Sequence, residues 1–146
     1  MAGKKKVFLD ASIFVAASGS ASGGSSLILE VCKGIRFSAA TTRRILLEAQ
    51  RNIRRKLSSE ALIRFYKEIA KLNPEIIRPP TKERLSKYDD VIALKDRHVL
   101  VSALESKATF LITLDRKHFQ TETIRQANLP IIIMTPKEFL EMVKRY

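Results

Sequence analysis

The sequence predicts an α/β fold in which helices cover both faces of a parallel β-sheet. Segments typical of buried strands alternate with segments of helical periodicity along the chain, and this alternation is typical of strand–helix–strand units. The strand segments are also continuously apolar, without the polar–apolar alternation of a sheet that has one face in water. We therefore expect three layers, with the sheet in the middle.

Five short apolar segments are predicted as strands. The segment 109–113 (Thr-Phe-Leu-Ile-Thr) is the clearest of them, and 76–78 is the weakest because two prolines close it at once. The full set of predicted strands is 6–9, 35–38, 76–78, 109–113 and 130–134.

Helices are predicted between these strands from apolar periodicity and from residues that start or stop a helix. Thr41 or Thr42 can cap a long helix that runs to about residue 57, and Ser58 restarts the chain as a second helix that an Asn-Pro pair ends near residue 73. The other predicted elements are a Gly/Ser-rich loop 19–26, a helix 27–33, a polar connector 81–90, a helix 94–107, a short helix or loop 119–128 and a final helix opened by Pro136.

The composition is that of one folded domain with a strongly basic surface. We treat residues 1–146 as a single domain, because this length can bury a substantial core without disulfides. The 27 Lys and Arg against 15 Asp and Glu give a net charge of +12. A field of that sign attracts polyanions such as nucleic acid, and a lysine-rich proteome is the alternative explanation.

Targeting and redox features favour a cytoplasmic protein that has no membrane partner. The apolar stretch 7–9 after the basic N-terminus is too short for a signal peptide, and no apolar run approaches the length that crosses a bilayer. The single cysteine, Cys32, permits no internal disulfide and suits a reducing compartment. We expect it to be a thiol of the core.

Acidic residues follow two of the predicted strands. Asp10 ends the first strand and Asp115 follows the fourth. Ligands of open α/β sheets bind beyond the carboxyl ends of the strands, and two neighbouring carboxylates repel each other unless a cation lies between them. Mg²⁺ or Mn²⁺ would suit such oxygen ligands. The alternative for each residue is the N-cap of the helix that follows it.

A third acid, Asp96, lies on a predicted helix. It shares a side of this helix with Val99 and Ala103, so we expect it to be partly buried and to need backbone amides or a cation as partner. His98 and Ser102 are predicted on the opposite, solvent-facing side.

Glu48 lies in the middle of a helix, at the edge of its apolar stripe. The alternative to a role in a site is a surface ion pair with Arg44 or Arg51, which would stabilise the helix only slightly. Zinc is not expected, because His98 and His118 are too few and too far apart in sequence and no cysteine cluster exists.

The order of these residues resembles the PIN domain. An apolar strand ends in Asp-x-Ser at 10–12, the helical Glu48 follows, and then come Asp96-x-x-Val-Leu-Val-Ser-Ala and Leu-Ile-Thr-Leu-Asp115-x-x-x-Phe. No single motif is specific, whereas the ordered set of four is fairly specific. The resemblance runs from about residue 7 to about residue 140, and it implies a PIN-like three-layer α/β/α fold with a parallel five-stranded sheet.

The resemblance also implies a metal-dependent nuclease that cuts RNA. The acidic residues of the family gather in one pocket and hold one or two Mg²⁺ or Mn²⁺ ions. Ser12 and Thr113 match supporting polar positions, whereas Lys117 stands where many relatives carry another acid, which weakens the case for a second tightly held ion. The acidic pair at 89–90 is an alternative to Asp96 as the third acid. The implied catalytic and metal-binding residues are Asp10, Glu48, Asp96 and Asp115.

The biological role implied by the resemblance is the toxin of a toxin–antitoxin pair or an RNA-processing nuclease. Such a toxin would have a small antitoxin protein as partner, and the family commonly forms homodimers. An arginine cluster on the long helix would contact RNA phosphates, with a solvated helix face as the alternative. Its members are Arg43, Arg44, Arg51, Arg54 and Arg55.

Three other functions compete with this one. A PIN-fold protein that binds RNA or acts as a scaffold without cutting would be expected to lack one of the acids, and none is missing here. A phospho-acceptor receiver domain carries an acidic pair at the end of its first strand, where this chain has Leu9 before Asp10. A dinucleotide-binding fold would need a glycine fingerprint directly after that strand.

Overall fold

Five parallel strands form one sheet in residues 3–145, which are the residues that the computed structural model describes. Their order across the sheet is β3-β2-β1-β4-β5, and each neighbouring pair is parallel. The strands are β1 (Lys5–Leu9), β2 (Phe37–Thr41), β3 (Glu75–Ile76), β4 (Phe110–Ile112) and β5 (Ile132–Met134).

The helices cover this sheet on both faces. Because strand–helix–strand crossovers are right-handed, the chain places helices on one face as it moves from β1 to β3 and on the other as it returns to β4. Accordingly α1 packs against α2, α3 and α4, whereas α6 packs against β2 and α5. The predicted three-layer fold is confirmed. The helices are α1 (Ala11–Gly19), α2 (Gly24–Cys32), α3 (Arg43–Lys56), α4 (Ser59–Leu72), α5 (Lys82–Ser86), α6 (Leu94–Glu105), α7 (Arg116–Phe119), α8 (Glu122–Gln126) and α9 (Pro136–Val143).

Hydroxyl side chains start several of these helices. The Thr42 hydroxyl accepts a hydrogen bond from the Ile45 amide at 3.0 Å, so Thr42 rather than Thr41 caps α3. Ser58 caps α4 in the same way. Pro136 occupies the first turn of α9 as predicted. These caps satisfy amides that have no carbonyl partner within the helix.

Several predicted segments were wrong in their bounds or their type. The Gly/Ser-rich loop 19–26 contains the first residues of α2, and the strand predicted at 76–78 is Glu75–Ile76. The second strand was placed at 35–38, but β2 is Phe37–Thr41 and Ile35 is 89% exposed. The reason is that strand propensity favours isoleucine, whereas the small residues Ala39 and Ala40 fit between the two helical layers. The connector 81–90 was predicted without regular structure, but it contains α5, which the Thr81 hydroxyl caps.

The core lies along the central strands. Val7, Phe8 and Leu9 of β1 are fully buried. On one side of the sheet, Phe139 of α9 packs its ring against Phe110 and Phe37, with centroid distances of 5.4 Å and 5.2 Å. The last helix is therefore joined to the sheet by a cluster of aromatic side chains.

Two remaining features concern the membrane and the cysteine. No single helix of residues 3–145 is long and apolar enough to span a bilayer, although α1 and α2, bent by 112°, pass a length and composition test as a pair. Cys32 is buried, which confirms it as a core thiol, and burial raises its pKa to about 12.

We predict that Phe139→Ala destabilises the protein by about 3–5 kcal/mol, because it leaves a cavity between α9 and the sheet. Urea unfolding followed by circular dichroism measures this change. Ile35→Ala is the matched control, since Ile35 is exposed, and its effect should stay within about 0.5 kcal/mol. A small loss for Phe139→Ala, or a separate transition for α9, would show that the helix is not part of a single cooperative domain.

Candidate active site

The pairing of β1 with β4 brings two carboxylates to one edge of the sheet. Asp10 directly follows β1, and Asp115 lies three residues beyond the end of β4. Both strands end at the same edge because they are parallel neighbours. This is the edge at which ligands bind in open α/β sheets.

Asp10 is held by hydrogen bonds on both of its carboxylate oxygens. Oδ1 accepts from the Ala11 amide at 2.7 Å, so Asp10 caps α1. Oδ2 accepts from the Thr113 hydroxyl at 2.7 Å and from the Ser12 hydroxyl at 3.4 Å. Burial nevertheless raises the pKa of the Asp10 carboxyl, and Asp115 adds to this effect. The carboxylate is therefore fixed in position, although its buried surroundings disfavour its ionised form.

Asp115 caps α7 and contacts a histidine that was not predicted to belong to the site. Its Oδ1 accepts from the His118 amide at 3.1 Å, and its Oδ2 lies 2.7 Å from His118 Nδ1. The Thr113 hydroxyl accepts from the Asp115 amide at 3.0 Å. The cap alternatives for Asp10 and Asp115 are thus both confirmed, and Thr113 joins the two acids.

Asp96 lies in the first turn of α6 and has one oxygen without a donor. Its Oδ2 is buried and accepts no hydrogen bond from any residue that the structure describes. The nearest basic atom to it is His118 Nδ1, at 4.0 Å. Burial raises the pKa of the Asp96 carboxyl, and the charge of Asp115 acts in the same direction. The expected partial burial of Asp96 is confirmed.

Glu48 on α3 is half-buried and interacts with the other acids. Burial and the charge of Asp10 raise its pKa, whereas Arg44 and Arg51 act against this. Neither arginine comes within 4.0 Å of its carboxylate in the described part of the chain, so the surface ion pair is absent there. We call Asp10, Glu48, Asp96 and Asp115 the carboxylate cluster.

The carboxylate cluster has the properties expected of a cation site. Two of its members belong to a close group, since ligand atoms of Asp96, Asp115 and His118 lie within 4.8 Å of one another. Asp10 and Glu48 are not part of this close group among the described residues, and they interact with it through their charges. A buried carboxylate oxygen without a donor is costly unless a cation compensates it. The pKa values of Asp10, Glu48 and Asp96 are raised, chiefly because burial disfavours their charged forms and to a smaller extent because the neighbouring acids repel them. Oxygen and imidazole donors suit Mn²⁺, and the carboxylates suit Mg²⁺.

His118 could have been found from the sequence by its spacing. An Asp at a helix start with a His three residues later places both side chains on the first turn. The alternative acids at 89–90 are both exposed, and Asp89 pairs with Arg97 at 2.9 Å. The buried oxygen of this part of the chain therefore belongs to Asp96.

The prediction that His98 and Ser102 face solvent was wrong. They are 8% and 1% exposed, because α6 packs on the sheet with one side and on α5 and the preceding segment with another. Burial and the charge of Arg44 lower the pKa of His98 to about 4, so its imidazole is neutral at pH 7. The Ser102 hydroxyl is a buried oxygen without a hydrogen-bond partner among residues 3–145.

The arginine cluster of α3 is exposed along its length. Arg44 lies near the carboxylate cluster, since its charge acts on Glu48. No described member of the arginine cluster forms an ion pair. These guanidinium groups are thus available to an anion.

The sheet and the carboxylate cluster define a class of α/β proteins with an acidic site at the carboxyl edge. Within this class, the chain belongs to the PIN-domain family, because the family's sequence pattern matches residues 6–117. PIN domains are generally nucleases and are typically dependent on divalent metal ions. A comparison with curated protein sequences gives no match.

Two solved structures are similar to this fold. One is VapBC2 from Rickettsia felis, solved with a DNA fragment from the VapBC2 promoter. Its TM-score is 0.57 at 15% sequence identity, and the aligned region covers 89% of this chain and 98% of that one. PAE2754 from Pyrobaculum aerophilum gives a TM-score of 0.61 at 12% identity, over 97% of both chains. At these identities the likeness concerns the fold.

We predict that Asp96→Asn raises the melting temperature of the metal-free protein at pH 7 by a few degrees. The folded state raises the pKa of Asp96 above its ordinary value of 3.8. The ionised carboxylate therefore destabilises the fold, and this effect grows as the pH rises above 3.8. A neutral amide removes the effect. Thermal melts in EDTA at pH 7 and near pH 4 measure it, and the gain should shrink at the lower pH.

Asp90→Asn is the matched control, since Asp90 is an exposed acid just upstream, and it should leave the melting temperature unchanged. A lower melting temperature for Asp96→Asn at pH 7 would contradict the prediction, because it would mean that the ionised carboxylate stabilises the fold.

Proposed function

We propose that the protein is a metal-dependent ribonuclease that hydrolyses RNA phosphodiester bonds at the carboxylate cluster. The observation that supports it most is the buried oxygen of Asp96, which lacks a donor and lies in a group of mutually repelling acids. Membership of a family that consists generally of nucleases supports the same reading. The net charge of +12 favours a polyanionic substrate.

The carboxylate cluster would hold Mg²⁺ or Mn²⁺, with Asp10, Asp96 and Asp115 as the most direct ligands. When bound, such an ion supplies positive charge to a phosphate that the acids alone would repel, and it makes a water molecule more acidic. Thr113 and Ser12 position Asp10 by their hydrogen bonds. These two side chains are therefore positioning residues.

The chain's own groups would then direct hydrolysis. Glu48 has a pKa raised by burial, which suits it to orient the attacking water and accept its proton. The water oxygen forms a bond to phosphorus while the bond to the leaving oxygen breaks, so that one product carries the phosphate and the other a hydroxyl. Arg43, Arg44, Arg51 and Arg55 would contact phosphates on either side.

We further propose that the protein, a single domain over residues 1–146, acts in the cytoplasm as the toxin of a toxin–antitoxin pair or as an RNA-processing nuclease. The structural likeness to VapBC2 supports a small antitoxin partner. Exposed apolar side chains on α3 and α4 (Leu47, Ile63 and Tyr66) support a homodimer. Sedimentation analysis of the purified chain would show a single monomeric species if the dimer is wrong.

One observation favours a non-catalytic, RNA-binding role as the second candidate. Both oxygens of Asp115 contact His118, and Lys117 carries a positive charge two residues further along the chain. If His118 is the permanent partner of Asp115, then this acid is not available to a cation and the cluster has three ligands at most.

We predict that the protein cuts labelled single-stranded RNA in the presence of Mn²⁺ or Mg²⁺ and that EDTA stops it. Asp10→Asn and Asp96→Asn should each reduce the rate at least about 100-fold, since each removes a charged ligand. Gel analysis of the products measures the rate. The matched control is Asp90→Asn, an exposed acid outside the carboxylate cluster, which should cut like the native chain.

The thermal response to metal separates the two candidate functions. If Mn²⁺ raises the melting temperature of the native chain but not of Asp96→Asn, the cluster binds metal. Cutting that persists in EDTA or in both Asp→Asn variants would rule out the mechanism. RNA binding with neither cutting nor a metal-dependent melting temperature would establish the non-catalytic role.

A further inference from the structure

A second pocket lies beside the carboxylate cluster and has the opposite charge. Its volume is about 360 Å³, and it lies between the start of α3, the segment that follows β3, and α6. Pockets of this size bind small organic ligands. Arg44 belongs to its wall and also acts electrostatically on Glu48. Arg44 therefore connects the pocket with the carboxylate cluster electrostatically.

The rim of this pocket is built to receive an anion. Arg43, Arg44 and Arg78 are among the residues that line it, and no acidic residue of the range 3–145 is. The first-turn amides of α3, at Arg43 and Arg44, have no helical carbonyl to bond, so the positive end of this helix faces the same space. Arginine and free amides together are suited to phosphate.

The interior of the pocket is apolar but carries polar groups at its base. Ile76, Pro79 and Leu85 form apolar walls, against which the apolar face of a base can pack. The side chains of Ser102 and His98 reach the pocket from α6. The Ser102 hydroxyl is buried and has no hydrogen-bond partner among the residues described. A serine inside a helix normally bonds a carbonyl one turn earlier, so this hydroxyl is left free to bond a ligand.

We propose that this pocket binds one nucleotide of a single-stranded nucleic acid, with the base against the apolar walls and the Ser102 hydroxyl, and the phosphate at the arginine rim. The inference rests on the proposed ribonuclease function for the identity of the polymer and deepens it, because a base-binding pocket next to the cluster would select where the chain is cut. Single-stranded bases are commonly recognised by stacking together with hydrogen bonds to their edges.

The combination of groups favours a nucleotide over an acidic peptide. An acidic side chain would satisfy the arginine rim but would leave the Ser102 hydroxyl without a partner. A base offers donors and acceptors on its edge together with an apolar face. Only a ligand with all three features matches the rim, the walls and the base of the pocket.

The test uses the full chain in EDTA, so that no cutting occurs. The ¹⁵N-labelled protein is titrated with AMP, GMP, CMP and UMP and, for comparison, with inorganic phosphate, and amide shifts are followed by NMR. We expect at least one nucleotide to bind more tightly than phosphate and to shift the amides of His98, Ser102 and Arg78.

Two variants with a matched control locate the binding. Ser102→Ala should reduce the affinity for the preferred nucleotide roughly five-fold, as expected for one lost hydrogen bond. Its affinity for phosphate should be unchanged. Arg78→Ala should reduce the affinity for both the nucleotide and phosphate. Arg36→Ala removes the same charge at the opposite edge of the sheet, before the start of β2, and should weaken neither.

The melting temperature distinguishes recognition from a structural role. Because the Ser102 hydroxyl has no partner in the fold, Ser102→Ala should be at least as stable as the native chain. A lower melting temperature would make Ser102 a structural residue and overturn its role in the pocket.

Three further results would overturn the proposal. These are nucleotides that bind no more tightly than phosphate, unchanged nucleotide affinity in Ser102→Ala, and an acidic peptide such as hexaglutamate that shifts the pocket amides when nucleotides do not. Since the assay contains no metal, its outcome is independent of whether the carboxylate cluster cuts RNA.

Discussion

The hydrogen bond from the Thr113 hydroxyl to Asp10 Oδ2 joins the ends of two central strands, and the geometry of the site depends on it. Thr113 follows β4 and Asp10 follows β1, so the bond forms only when these strands pair in the observed register. The same hydroxyl accepts from the Asp115 amide. One threonine therefore fixes the relative positions of two acids that are distant in sequence.

The fold keeps this group of acids together against an unfavourable electrostatic energy. Burial raises the pKa of Asp10, Glu48 and Asp96, which means that the folded state disfavours their charged forms. Natural proteins maintain such arrangements where function requires them, since the core stabilises the fold elsewhere. Here the fully buried residues 7–9 of β1 and the aromatic cluster at Phe139 provide that stability.

Local chemistry explains what could be predicted from the sequence. The helix starts at Thr42, Ser58 and Pro136 depend on neighbours a few residues away. Thr42 was one of two predicted caps, and Ser58 and Pro136 were predicted as helix starts. The positions of Asp10 and Asp115 at one edge followed from the parallel sheet. The burial of His98 and Ser102 did not, because it depends on packing against α5 and the segment after β3, and α5 lies in the stretch that was predicted as a connector.

The covered side of α6, at His98 and Ser102, also distinguishes the surroundings of the carboxylate cluster from those of an acidic site that is open to water. Polar residues on the second side of α6 would be ordinary surface groups if that side faced water. Since it is covered, the Ser102 hydroxyl needs a partner, and the arginines that line the same pocket carry a charge opposite to that of the carboxylate cluster. A polyanion that places one phosphate at the carboxylate cluster therefore has a basic, partly apolar pocket next to it. The positive charge of that pocket attracts the neighbouring part of the polyanion.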